Sequence, residues 1–209
     1  MLKQSIWFAA LALCVNAGTC MAKGNLWAAA GQTFQFSNNI GEWKSPDGSA
    51  QIRSDDTDVT LKLYGSVLDI ADIYGSPWLS EAVWSGEARG VFVNASDGGT
   101  VGTWRTRAFV EAGGRVREIA VQKAIRTAHA ITSTCTLNVV SVGWIDSGDA
   151  LLVMEQVPNS SGCSHMSKAV FFVIDVKTGK IRETLTPTEA KARYSDVFGA
   201  RVDDTLTLQ

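Results

Sequence analysis

Hydrophobic positions along this chain recur mostly with a period of two, or in short unbroken runs, rather than at helical spacing. The segments 33–36, 58–64, 90–94, 103–110, 116–121, 137–144, 150–154 and 169–176 follow this pattern and read as strands. Turn formers separate them: Pro46-Asp47-Gly48, Asp97-Gly98-Gly99, Gly113-Gly114 and Lys177-Thr178-Gly179, where glycine at positive φ lets the chain reverse. Two stretches read as helices. Residues 122–130 are alanine-rich and carry Lys123 and Arg126, while Thr186-Pro187-Thr188-Glu189-Ala190 has an N-cap threonine followed by proline in the first turn. The second helix is expected to pack on the outside of a sheet. The pattern predicts a mostly β, antiparallel fold with one or two short helices.

A loose internal repeat sharpens this expectation. Trp43-Lys44-Ser45-Pro46-Asp47-Gly48 precedes the strand 50–53, Trp84-Ser85-Gly86-Glu87 precedes 89–94, and Trp144-Ile145-Asp146-Ser147-Gly148-Asp149 precedes 150–155. Three times a tryptophan enters a tight turn that leads into an apolar strand. After the third unit come Phe171-Phe172-Val173-Ile174, the turn Asp175-Val176-Lys177-Thr178-Gly179-Lys180, and a second strand from Ile181. This combination resembles β-propeller blades of the TolB-like and WD40-like kind over roughly 34–186. In those blades a Trp-Ser-Pro-Asp-Gly turn joins the first two strands and an Asp-x-x-Thr-Gly-Lys turn joins the last two. The resemblance implies blade-like antiparallel sheets and no particular activity. The tryptophans are spaced 41 and 60 residues apart and form three units, whereas closed propellers have at least about four blades. The chain therefore forms an open, capped array, a sandwich, or part of a ring completed by association.

The first 22 residues stand apart. Lys3 is their only charge, residues 6–15 are apolar, and small residues lead to Ala22, the pattern of a secretory signal cleaved after Ala22. The apolar run is about half of the ~20 residues that a membrane span requires, so no transmembrane segment is expected after cleavage. Leu13 before Cys14 and Thr19 before Cys20 do not suit lipidation. Processing at Ala22 leaves a single β-rich domain, 23–209, with two of the four cysteines, Cys135 and Cys163; a cut after Ala17 would leave an odd thiol. In an oxidising compartment the pair is expected to form a disulfide. The alternative, a metal site using both cysteines with His129 and His165, lacks the close cysteine spacing of zinc sites. Removing residues 1–22 takes away one lysine and no acid, which moves the net charge from −2 to −3. No basic stripe is present, and this excludes nucleic acid as a partner. A bacterial-type signal with no anchor points to the periplasm.

Candidate chemistry is sparse. Gly-x-Ser-x-Gly, the elbow of many serine hydrolases, is absent, and His129 and His165 are the only imidazoles. Acids occur at Asp55, Asp56, Asp58, Glu81, Glu87, Asp97, Asp146 and Asp149, mostly in turns, where aspartate is favoured by local hydrogen bonding. Residues 54–58 cluster oxygen donors but lack the glycine and distal glutamate of an EF-hand. Asn94-Ala95-Ser96-Asp97-Gly98-Gly99 lacks the lysine and helix of a phosphate loop. Tryptophans at repeat strands belong to a core, which leaves Trp27 and Trp78 as the accessible candidates.

The blade resemblance brings three loops to one rim and places Cys135 and Cys163 on the same face. The expected binding residues are Asp55, Asp56 and Asp58, then Asn94, Ser96, Asp97, Gly98 and Gly99, then Asn159, Ser160, Ser161 and His165. The chain is expected to be an exported binding or interaction protein without catalysis or cofactor, an inhibitor or immunity protein for another protein of the cell envelope. The alternatives are a hydrolase acting on cell-wall glycan or peptide through Asp97 and His165, and a structural subunit of an envelope assembly.

Overall fold

A computed structural model describes residues 26–33, 41–54, 58–70, 79–99, 101–128, 130–159 and 161–208. The signal segment 1–22, most of the expected strand 33–36, and Asp55, Asp56, Trp78, His129 and Ser160 lie outside the described residues.

The strands form three consecutive antiparallel meanders. The first sheet holds β2 (Gly41–Lys44), β3 (Gln51–Ser54), β4 (Val59–Leu63) and β5 (Ser66–Asp69) in that order. The second holds β6 (Ser80–Trp84), β7 (Gly90–Ser96), β8 (Trp104–Ala112) and β9 (Arg115–Ile119), with the two-residue β1 (Gln32–Thr33) on the free edge of β6. The third holds β10 (Asn138–Ile145), β11 (Ala150–Gln156), β12 (Ala169–Asp175) and β13 (Ile181–Leu185). Helix α1 (Val121–Ala128) links the second sheet to the third, and α2 (Pro187–Tyr194) and α3 (Ala200–Thr207) follow the last strand. The mostly β fold with four-stranded blade-like sheets therefore stands. The start of α2 is the capping box that Thr186 and Glu189 announce, with proline in its first turn. Helix α3 is an addition to the two expected helices. Its sequence has only a weak apolar stripe, Val202, Thr205 and Leu206, and its buried face is supplied by contacts from far along the chain.

The three sheets stack face to face. One apolar layer lies between the first and second sheets, with Ile52, Leu61 and Leu63 meeting Val91, Val93 and Phe109. A second layer lies between the second and third sheets, with Phe92, Ala108 and Val110 meeting Leu151, Val153, Phe172 and Ile174. The third joins the far face of the third sheet, through Val140, Leu152, Met154, Phe171 and Val173, to Ala190, Phe198 and Val202. Strands β7 and β11 are accordingly buried along their whole length on both faces, which is why they read as continuous apolar runs.

The array is capped at each end. At one end α2 and α3 cover the third sheet. At the other, the outer face of the first sheet carries the cross-strand rows Glu42–Arg53–Thr60–Asp69 and Lys44–Gln51–Lys62–Val67, almost all polar. A polar terminal face is what a stack of repeats needs to end in water. The repeat tryptophans show the same logic. Trp84 and Trp144 sit one pair beyond their hairpin-closing pairs, opposite Val91 and Leu151, and each packs on the preceding layer. Trp43 is one residue further back, opposite Ile52, and Lys44 takes the equivalent outward position. A shift of one residue turns the side chain to the other face, so the tryptophan of the terminal sheet points into the stack. Trp144 also donates its indole N–H to the Val83 carbonyl at 3.1 Å and lies over Gly90, where a Cβ would come within 3.0 Å of its ring.

The N-terminal segment is held between the second sheet and the C-terminal helices. Ala28 bridges to Phe198, the Gly199 amide donates to the Trp27 carbonyl, and the Arg201 amide donates to the Leu26 carbonyl. A Cβ at Gly199 would lie 2.3 Å from the Leu26 carbonyl oxygen, so only glycine permits this approach. The placement corrects the expectation that Trp27 is accessible. It is 3% exposed, packs edge-on against Trp104 at 5.7 Å between ring centroids, and shares with it the guanidinium of Arg201. Among the described residues no helix is long and apolar enough to cross a membrane.

Candidate functional site

In the second and third meanders the connection between the second and third strands lies at the end opposite the two hairpin turns, and these connections carry Asp97, Gly98, Gly99, Asn159, Ser161 and His165. In the second sheet the connection runs from Asp97 to Thr103. Asp97 Oδ1 accepts from the Gly99 and Thr103 amides at 3.0 and 3.1 Å, which closes the loop on itself, and Gly98 stands at φ 66° in its bend. In the third sheet the connection runs from Val157 to Lys168. The Ser161 hydroxyl accepts from the Cys163 amide, and His165 is exposed in a left-handed turn at φ 61°. Gln156 donates to the side chain of exposed Asn159. Asp58, exposed at the start of β4, belongs to the first sheet and contributes no wall to the hollow described next.

Cys135 and Cys163 are joined as a disulfide, with Cα atoms 6.3 Å apart. The bond ties the segment after α1 to the β11–β12 connection, and it removes the thiolates on which the alternative metal site depended. Around it Val101, Thr103, Thr134, Thr136 and Ser161 line a hollow of about 290 Å³. The loops of the second and third sheets are thus brought together with the disulfide between them; Val101, 38% exposed, lines the hollow, and Met166, 47% exposed, lies further along the β11–β12 connection.

Two expected rim residues lie elsewhere. Asn94 and Ser96 are strand residues of β7 with 0% exposure, because β7 is covered by sheets on both sides. Asn94 is instead the centre of a buried polar network. Its amide donates to Glu81 Oε1 at 2.6 Å and to the Ser141 carbonyl at 2.7 Å, and its carbonyl accepts the Ser141 amide at 2.9 Å. Thr106 and Ser141 share a hydroxyl contact of 2.8 Å. Glu81 also accepts the Trp27 amide at 2.9 Å, so the network locks the second sheet to the third and to the N-terminal segment.

Burial raises the Glu81 carboxyl to about 7, against the opposing effects of Asn94, the Trp27 amide and the Arg201 charge. The folded state thus holds the Glu81 proton more tightly than the unfolded chain. The resulting stabilisation is full below about pH 4.5 and is lost as pH rises through about 7, amounting to at most ~3 kcal/mol. Urea midpoints at pH 5 and pH 8 should show this loss in the wild type and a markedly smaller one in Glu81→Gln. Equal losses in both proteins would assign the pH dependence to other groups.

Beside the disulfide hollow, and sharing Thr103 and Thr136 with it, lies a groove of about 420 Å³. Its wall is completed by Arg105 at the start of β8, Gln122 and Arg126 on α1, Leu137 and Val139, and Glu155 near the end of β11. Glu155 is 5% exposed. Burial pushes its carboxyl up, and the Ile131 backbone N–H opposes this. Its Oε2 and the Nε2 of Gln122 are both buried without a hydrogen-bond partner among the described residues. Sequence reasoning missed this groove. The available signal was Glu155, the one charged residue of β11, since an acid in a run buried on both faces requires a partner.

Comparisons with known protein families, with curated proteins and with solved structures give no match to this chain.

Proposed function

We propose that this chain is an exported, periplasmic binding protein without catalysis of its own, which contacts another protein of the cell envelope in the manner of an inhibitor or immunity protein. We read its sheets as blades of the TolB-like or WD40-like kind in an open three-blade array. The observation that carries the binding assignment is the convergence of the 97–103 and 157–168 connections around the Cys135–Cys163 disulfide, with Val101 and Met166 exposed among polar neighbours. Exposed apolar side chains on loops held by a rigid scaffold suit recognition.

The test is affinity capture from an envelope extract with the chain from residue 23 onward, alongside a Val101→Asp/Met166→Asp variant. Stoichiometric capture of one protein by the wild type, lost in the variant, is expected. Equal capture by both would overturn the rim assignment, and no capture by either would overturn the reading as a protein-binding module.

A further inference from the structure

The groove between α1 and the ends of β8, β10 and β11 presents a donor and acceptor set that the protein itself leaves incomplete. Glu155, 5% exposed, and Gln122 both line it, and Glu155 Oε2 and Gln122 Nε2 are enclosed behind that lining without a hydrogen-bond partner among the described residues. Arg105 and Arg126, both exposed, supply cationic donors, and Thr103 and Thr136 supply hydroxyls. A buried polar atom without a partner costs free energy that a bound polar group recovers. The volume of about 420 Å³ falls within the usual range of small-molecule sites.

We propose that this groove binds a small carboxylate that also carries a hydroxyl or ammonium donor. The ligand carboxylate takes the hydrogen bonds of Arg105 and Arg126, and turns of the Gln122 and Glu155 side chains bring Nε2 to the same carboxylate and Oε2 to the ligand's hydroxyl or ammonium donor. Arginine matches a carboxylate because its planar fork places two donors on the two oxygens. Glu155 sits in the drier part of the wall, where a donor that reaches it competes with little water. Acidic sugars and free amino acids both have this chemistry. The site borders the proposed protein contact, sharing Thr103 and Thr136 with the hollow but not Val101 or Met166, so different variants test the two readings.

The experiment is calorimetric titration of the chain from residue 23 onward with D-glucuronate, L-alanine, D-glucose and acetate as probes. Saturable binding of glucuronate or alanine is expected, at least about tenfold tighter than glucose, which lacks the carboxylate, and than acetate, which lacks the donor. Glucuronate binding alone identifies an acidic sugar as the source, and alanine binding alone an amino acid. Arg126→Ala lies on the exposed side of α1 and should weaken binding about tenfold with the thermal midpoint unchanged. Glu155→Gln preserves size and should remove the preference over acetate. The Val101→Asp/Met166→Asp variant should bind the probes as the wild type does. Absence of saturable binding by both glucuronate and alanine, or unchanged binding in Arg126→Ala and Glu155→Gln, overturns the proposal.

Discussion

Replacing Phe172 by alanine is expected to cost about 3–5 kcal/mol of stability, and Phe171→Ala a similar amount, by different routes. Both rings have 0% exposure, but they are neighbours on β12 and point to opposite faces. Phe172 lies in the layer between the second and third sheets with Phe92, Leu151 and Val153. Phe171 lies in the layer under the C-terminal helices, stacked on Phe198 at 5.5 Å between centroids. In each case the cost combines lost transfer energy with a cavity that rigid neighbouring strands cannot collapse. Chemical denaturation measures the size of the loss, and amide exchange separates the routes. Phe171→Ala should speed exchange in α2 and α3 before the sheets, while Phe172→Ala should loosen the second and third sheets together. Indistinguishable exchange patterns would contradict the layered division of the core.

Loss of the Cys135–Cys163 disulfide should destabilise the chain by about 3–4 kcal/mol in the chain-entropy model, because the bond closes a loop between residues 28 positions apart. The enclosed segment holds β10, β11 and most of the β11–β12 connection, so the bond crosslinks the unfolded chain around the most buried hairpin. Denaturation of a Cys135→Ala/Cys163→Ala variant, compared with the oxidised wild type, measures this. A loss below about 1 kcal/mol would show that the stacked sheets already restrain these segments. The hollow beside the bond should become more mobile in the same variant, which amide exchange at Thr134, Thr136 and Ser161 reads directly.

Much of the architecture was legible along the chain. Alternating and continuous apolar runs located β4 and β7 to β12 to within a few residues, the tryptophan repeat pointed to β3 and the Asp175–Lys180 turn to β13, while β6 was not read as a strand. The Asp175 turn folds by its own side chain: the carboxylate accepts the Thr178 amide at 2.6 Å and two bonds from Arg182, which hold its carboxyl down at about 2. Local chemistry of this kind needs no distant partner. The edge strands β2 and β5 carried a weaker pattern because one face of the first sheet is solvated and its strands are short.

The candidate sites divided in the same way. Asp97 and His165 are exposed where the turn residues around them suggested, since loop polarity follows from local sequence. Asn94 and Ser96 belong to the same run of polar letters, yet they are buried, because the second sheet is covered on both sides by segments distant in the chain. The Arg105, Gln122, Arg126 and Glu155 groove draws on four elements, β8, α1, β10 and β11, that are adjacent only once α1 crosses the end of the stack.

By itself, then, the sequence determined most of the strands, their reversals and the α2 cap, because strand period, turn conformation and capping are set by residues within a few positions of one another. Only the tertiary structure decided that the three sheets form an open stack, ended by a polar face and by helices, with the N-terminal segment clasped between them. Only it decided which polar side chains were buried in pairs and which were left without a partner beside a groove. Those outcomes depend on which faces meet, and face-to-face contact joins residues whose separation along the chain carries no periodic signal.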